Sequence, residues 1–343
     1  MFAPFIYTCD KSIEVYEQSK KFIETSEYQE KISNLAWAYH SVGNLTPHTT
    51  ENFWSGHFFP WAESWEEIQI SSNLCLFGLY KQAMASLRSG LELGLLSVYW
   101  NLNDNGHEII QDWLKSREHT PYFGSVWKKL EQHPNFQYFQ QSHDIKTRIL
   151  NLGFLHDYTH SKGHKFSNSI GLFKSNFQTF EEKGISLWYE AFEEVVKVLS
   201  ILHLIKHPIG TVRFNYSQKF GIDKPMFGGL EIFEVDRLER IIGQEIFGTL
   251  ESVAQSDDNV KNVMEWVSSL LDMTDEEVSE QIMEFDKSTI ERQGLEQWLE
   301  MEKKLYGDRI QKDEVYKQKV DTLIQWAKDN DYEKPSWERK NAA

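Results

Sequence analysis

IQISSNLCLFGLYKQAMASLRSGLELGLLSVYWNLN, residues 68–103, is the stretch that decides the fold. Only Lys81, Arg88 and Glu92 carry charge in it. Apolar side chains recur at helical spacing on nearly every side: Leu74, Phe77, Tyr80, Met84, Leu87, Leu91, Leu95 and Tyr99. A helix that is apolar all round is buried, so this stretch predicts the central helix of an all-α core. Ser64 with Glu67 fits a capping box that would open it, and residues 101–106, NLNDNG, would end it. Arg88 and Glu92, four residues apart, are then expected inside the core, where an unpaired charge is costly. They read either as a buried ion pair fixing helix register or as the floor of a pocket that binds an anion or positions a catalytic group.

The rest of the chain fits such a core. It has 343 residues, 40% of them apolar, with 12 Trp, 14 Tyr and 22 Phe. Only 8 residues are Pro, which suits long helices. The formal charge of −16 argues against a general nucleic-acid coat protein, although a local basic site is compatible with it. Two cysteines, Cys9 and Cys75, make a disulfide framework an unexpected feature; with no signal-peptide pattern they suggest a reducing, cytoplasmic setting. No uncharged apolar run reaches 18 residues, so no membrane span is predicted.

Helical patterns extend on both sides of the central stretch. One or two amphipathic helices cover 11–43, followed by a loop over 44–60. Shorter helices are expected at 107–114, 126–130 and 144–158, the last with Ile145, Ile149, Leu152 and Leu155 on one stripe. Residues 186–207 are strongly apolar and end at Pro208 and Gly210. Glycines and prolines over 211–233 suggest an irregular linker or a short strand pair. Helical patterns then return at 235–252, 258–271, 275–303 and 312–329. Residues 251–343 hold 23 Asp/Glu against 13 Lys/Arg, which is −10 of the total charge. The expected division is an N-terminal helical extension (1–63), a helical bundle (64–210) and an acidic helical C-terminal module (211–343).

Two side-chain groupings are candidates for chemistry. Residues 148–165, RILNLGFLHDYTHSKGHK, place His156, His160 and His164 at intervals of four, among Arg148, Asp157, Lys162 and Lys165. His156 and His160 on one helical face can share a zinc ion, but no HExxH pattern or third ligand accompanies them, and no metal is predicted. A histidine beside an arginine can cleave RNA by general acid–base catalysis with phosphate stabilisation. A histidine and lysine run also simply suits a helix C-terminus. The second grouping is aromatic: Phe53, Trp54, His57, Phe58, Phe59, Trp61 and Trp65. Such a set can stack bases or clasp the core; lacking interleaved cations, it reads as a clasp. No phosphate-binding loop, nucleophile elbow or CxxC motif occurs.

Three blocks carry a family resemblance: GLYKQAMASLRSGLELGLLSVYW (78–100), LHDYTHSKG (155–163) and WYEAFEEVVKVLSILHLIKHP (188–208). Over about 64–208 the chain resembles uncharacterised bacterial proteins of the HEPN type, related to abortive-infection proteins. The resemblance implies a helical bundle that dimerises. It also implies a place in anti-phage defence or toxin systems, where many members are metal-independent endoribonucleases needing no cofactor. The family signature is an Arg, four to six residues, then a His. The matching histidine is His160, or alternatively His156. Arg148 stands eight residues before His156 and twelve before His160, outside that spacing, so Arg88 is a further candidate for the phosphate contact. Lys162, His164 and Lys165 would bind RNA. The expected function is an RNA-cleaving effector. The alternative is a non-catalytic HEPN-like scaffold that binds a protein partner or antitoxin as a sensor or adaptor.

Overall fold

The computed structural model describes residues 7–46, 52, 54–100, 102, 107–160, 162–167, 178–223, 225, 227–307 and 313–339. Among them every regular element is helical, and no helix is long and apolar enough to cross a membrane. The fold is all-α, as the sequence indicates. The chain forms two compact units. The larger comprises Met1–Asn215 with Pro225–Ser268; the smaller comprises Tyr216–Lys224 with Ser269–Ala343.

In the larger unit, α1 (Cys9–Glu24) and α2 (Tyr28–Gly43) precede a hairpin of α3 (Phe58–Leu76) and α4 (Tyr80–Tyr99). The single long helix expected over 64–100 is therefore two helices. Gly78 has φ +72°, and a Cβ there would lie 3.0 Å from the Thr179 carbonyl oxygen, so the chain turns there. Apolar residues run through the turn and hide it from periodicity.

Ser64 is not an N-cap. It is buried in the middle of α3, where its hydroxyl lies 2.6 Å from the Gly90 carbonyl and 2.7 Å from the Tyr39 hydroxyl. Ser71 donates to the Ala83 carbonyl at 2.7 Å, and Ser86 donates to that of Glu67 at 2.9 Å. These three bonds set the antiparallel register. The small residues let the helices approach: a Cβ on Gly90 would meet Ile68 at 3.0 Å.

Five short helices follow: α5 (His107–Leu114), α6 (Phe123–Leu130), α7 (Pro134–Ser142), α8 (Ile145–Asn151) and α9 (Phe154–Thr159). The helix expected over 144–158 is interrupted at Leu152–Gly153. The long α10 (Glu182–Lys206) is buried on almost every side, and Trp188 anchors it by donating its indole N–H to Ser71 at 2.8 Å. Its Lys206 ammonium donates to the Ser97 and Trp100 carbonyls at 2.6 and 2.7 Å, closing the C-terminus of α4 with a cation.

After a 3₁₀ turn (Pro208–Thr211) come the one-turn α11 (Ser217–Phe220), α12 (Ile232–Ile242), α13 (Gln244–Ser256) and α14 (Asp258–Ser269). No strand occurs among the described residues of 211–233, so the expected strand pair is absent there. Leu35 and Tyr39 of α2, and Val235, Leu238, Phe247 and Leu250 of α12 and α13, belong to the same apolar core as α4 and α10. Segments assigned from sequence to an N-terminal extension and to the acidic module thus help to build the bundle.

The smaller unit has its own core of Ile290, Leu295, Trp298, Val320, Leu323 and Ala327. These come from α15 (Asp275–Gln293), α16 (Leu295–Tyr306) and α17 (Glu314–Asp329); α18 (Ser336–Arg339) closes the chain. The helix expected over 275–303 breaks at Gly294, φ +85°. Inside this unit Asp286 is buried, accepting from the Trp298 indole at 3.1 Å and pairing with Lys319 at 2.6 Å.

Candidate functional site

A cleft of about 460 Å³ opens on the larger unit between α4, α6, α8 and the start of α9. Helix α4 supplies Arg88, Leu91, Glu92 and Leu95 at one-turn intervals, because residues three and four apart share a helix face. The turn before α6 supplies Pro121 and Tyr122, α8 supplies Ile149 and Leu150, and α9 supplies His156. Most of the wall is apolar. Tyr122 is 85% exposed and Leu150 53% exposed at its mouth.

The cleft brings together three of the candidate residues, Arg88, Glu92 and His156. It also corrects the expectation for the ion pair. Arg88 and Glu92 are not both in the core: their side chains are 22% and 53% exposed. They bond to each other within α4, Arg88 Nη2 donating to Glu92 Oε1 at 2.6 Å. Glu92 stays in water because α4 turns that face toward the open cleft rather than toward α10.

Arg148 is placed elsewhere. It faces α10 and makes a two-pronged bond with Glu194, Nε to Oε1 at 2.7 Å and Nη2 to Oε2 at 2.9 Å. A guanidinium fork matched to one carboxylate in this way is a structural clamp. It ties the short α8 to α10. His160 follows the last turn of α9, its ring 4.2 Å from that of His156. Lys162 is exposed and pairs with Asp157 at 3.4 Å, and the exposed Lys165 lies over the Phe166 ring at 5.3 Å. The His164 side chain lies outside the described residues. Among the described residues, no three His, Cys, Asp or Glu side chains come together as a metal would require.

Sequence reasoning missed Tyr122, which lies between the expected helices at 107–114 and 126–130, and Leu150. Leu150 was detectable: it is apolar, yet lies off the Ile145–Ile149–Leu152–Leu155 stripe. The aromatic set around residues 53–65 mostly packs inward. Trp61 is buried, 6.3 Å from the Tyr39 ring and 5.4 Å from that of Phe58, while Trp54 stacks on Phe59 at 5.7 Å. Phe53 lies outside the described residues.

Beneath the cleft's helices, two polar side chains, Ser97 and His203, are buried in the core, and the half-buried His207 follows them. His203 of α10 is buried, and its Nδ1 lies 2.8 Å from the Leu199 carbonyl, which can only accept, so Nδ1 carries the proton. Nε2 lies 3.1 Å from the Ser97 hydroxyl. Burial pushes the His203 imidazole down to about 4, and burial and Lys206 hold His207 well below the usual histidine range.

No family model, no curated protein and no solved structure matches this chain.

Proposed function

We propose that this protein is a non-catalytic, HEPN-like scaffold whose cleft between α4, α6 and α8 takes an apolar segment of a protein partner. The observation that carries this reading is the character of the cleft. Its wall is leucine, isoleucine and aromatic surface, with large apolar side chains exposed at its mouth, a pattern that marks protein-binding sites. Three cations near it are engaged by carboxylates: Arg88 by Glu92, Arg148 by Glu194, Lys162 by Asp157. A phosphodiester would have to displace a carboxylate to reach any of these three. A role in bacterial anti-phage defence, as sensor, adaptor or antitoxin-bound partner, rests on the family resemblance of residues 64–208. So does a homodimer through the bundle, which light scattering would contradict by reporting a 40.4 kDa monomer across micromolar concentrations.

The reading of a metal-independent endoribonuclease draws on one specific observation: Arg88 and His156 line the same cleft, with His160 beside His156. In it, His160 or His156 would be the acid–base group, Arg88 the phosphate contact, and Lys162, His164 and Lys165 the RNA-binding residues. A cleavage assay decides between the two. Total RNA is incubated with wild type, His156→Ala and His160→Ala, with extract of phage-infected cells present to supply a trigger. The scaffold reading expects intact RNA with all three proteins. Cleavage by wild type that either substitution removes would overturn it in favour of the nuclease, since general acid–base groups typically supply about 10²–10⁴-fold in rate.

A further inference from the structure

A second cavity, of about 210 Å³, lies on a different face of the larger unit, where α2, α10 and α12 meet. Four cations from three helices line it: Lys31 from α2, Lys197 from α10, and Arg237 and Arg240 from α12. Glu193 is the one carboxylate among the lining residues. This is a concentration of positive charge on a chain whose formal charge is −16.

The partners of these cations differ from those around the apolar cleft. The two lysines have carboxylates four residues earlier in the chain, Lys31 with Glu27 at 2.8 Å and Lys197 with Glu193 at 2.7 Å. Neither arginine bonds a carboxylate among the described residues. Arg240 Nε reaches only the Asp236 carbonyl, at 3.4 Å. The Arg237 guanidinium is held between the Trp37 and Phe233 rings, 5.8 and 5.9 Å from their centres, and its Nε is buried with no hydrogen-bond acceptor. A buried, unsatisfied N–H on a charged group is costly. A guanidinium held by two aromatic rings is also pre-positioned, so little ordering remains to be done on binding.

We infer that this pocket binds the phosphoryl group of a small ligand. Two guanidinium forks without carboxylate partners among the described residues suit a phosphate's three oxygens, and two ammonium groups add attraction without demanding geometry. The cavity holds a phosphate or diphosphate but not a protein segment. This site is separate from the apolar cleft and does not rest on the scaffold reading.

Calorimetric titration of the full chain at low salt tests it, with inorganic pyrophosphate, ATP and adenosine as probes. Pyrophosphate and ATP are expected to bind saturably at one site. Arg237→Gln and Arg240→Gln should each weaken binding by about tenfold or more, the worth of a charged hydrogen bond. Glu193→Gln, which removes the lining carboxylate, should tighten it. Lys261→Gln, a cation outside the pocket paired with Asp258, should change nothing. Circular dichroism of each variant verifies the fold; Arg240 is exposed, so its substitution remains informative if Arg237→Gln misfolds. No saturable binding, an equal loss in Lys261→Gln, or adenosine binding as well as ATP would overturn the assignment. So would a short single-stranded RNA that binds more tightly than ATP and loses affinity in the same variants, because the pocket would then serve a nucleic-acid backbone.

Discussion

Two cavities of the larger unit invert what their sequences suggest. Residues 148–165 are the densest run of basic side chains near the core, yet Arg148 is clamped by Glu194 and Lys162 by Asp157, and the neighbouring cleft is walled with apolar groups. Lys31, Lys197 and the pair Arg237 and Arg240 stand far apart in the chain, and they converge on one small cavity where neither arginine has a carboxylate partner among the described residues. Charge density along a sequence counts cations; function depends on which of them the fold leaves without a counter-ion.

The sharpest way to break this contrast is to compare stability costs. Leu95 is buried and also floors the apolar cleft, so Leu95→Ala is expected to cost about 2–5 kcal/mol in urea unfolding, the usual penalty for emptying a core site. Arg240→Ala in the cationic pocket should stay within about 0.5 kcal/mol. A large loss there would make that pocket structural rather than ligand-binding.

Acidification probes the polar groups beneath the cleft. His203 is pushed down to about 4 from an ordinary value of 6.5. Between those two values the unfolded chain binds a proton that the folded one refuses, so stability falls as pH falls. The slope from this group is about 1.4 kcal/mol per pH unit and vanishes above the ordinary value. Chemical denaturation from pH 7 to 4.5 should show a shallower decline in His203→Gln than in wild type. Parallel curves would mean that His203 is not held neutral.

Smaller effects sharpen the account of the paired arginines. Glu194→Ala should destabilise by about 1 kcal/mol or less, because the pair is part-exposed and screened. Arg88→Ala should cost only about 0.5 kcal/mol, the scale of an exposed i,i+4 pair on a helix. Thermal melts of both suffice. A loss of several kcal/mol in Arg88→Ala would restore the buried ion pair that the sequence suggests.

Much of the fold is legible in the sequence, and the reason is local. The helical character of 11–43 and helices α10 and α17 follow directly from the spacing of their apolar residues, and α10 stops before Pro208 as read, while the break between α1 and α2 is left open by the sequence. The breaks at Gly78, Gly243 and Gly294 are not legible, although each glycine has positive φ, from +72° to +97°. Apolar residues flank each one in register, so a turn between two helices looks like one helix. The candidate site was half legible. His156 and His160 share a local run, and Arg88 lines the same cleft as His156 because α4 packs beside α9. The partner of Arg148, Glu194, lies on α10, and nothing local to residue 148 announces it. The cationic pocket was invisible for the same reason: its four cations come from three helices.

The central claim is that the apolar cleft docks a protein. Site-specific photo-crosslinking tests it most directly, with a photoreactive residue in place of Tyr122 at the mouth, in phage-challenged cells, and adducts read by mass spectrometry. The account expects one discrete protein adduct, abolished by Leu150→Asp in the same cleft and retained in His160→Ala. Crosslinks to RNA, or a protein adduct indifferent to Leu150→Asp, would contradict it.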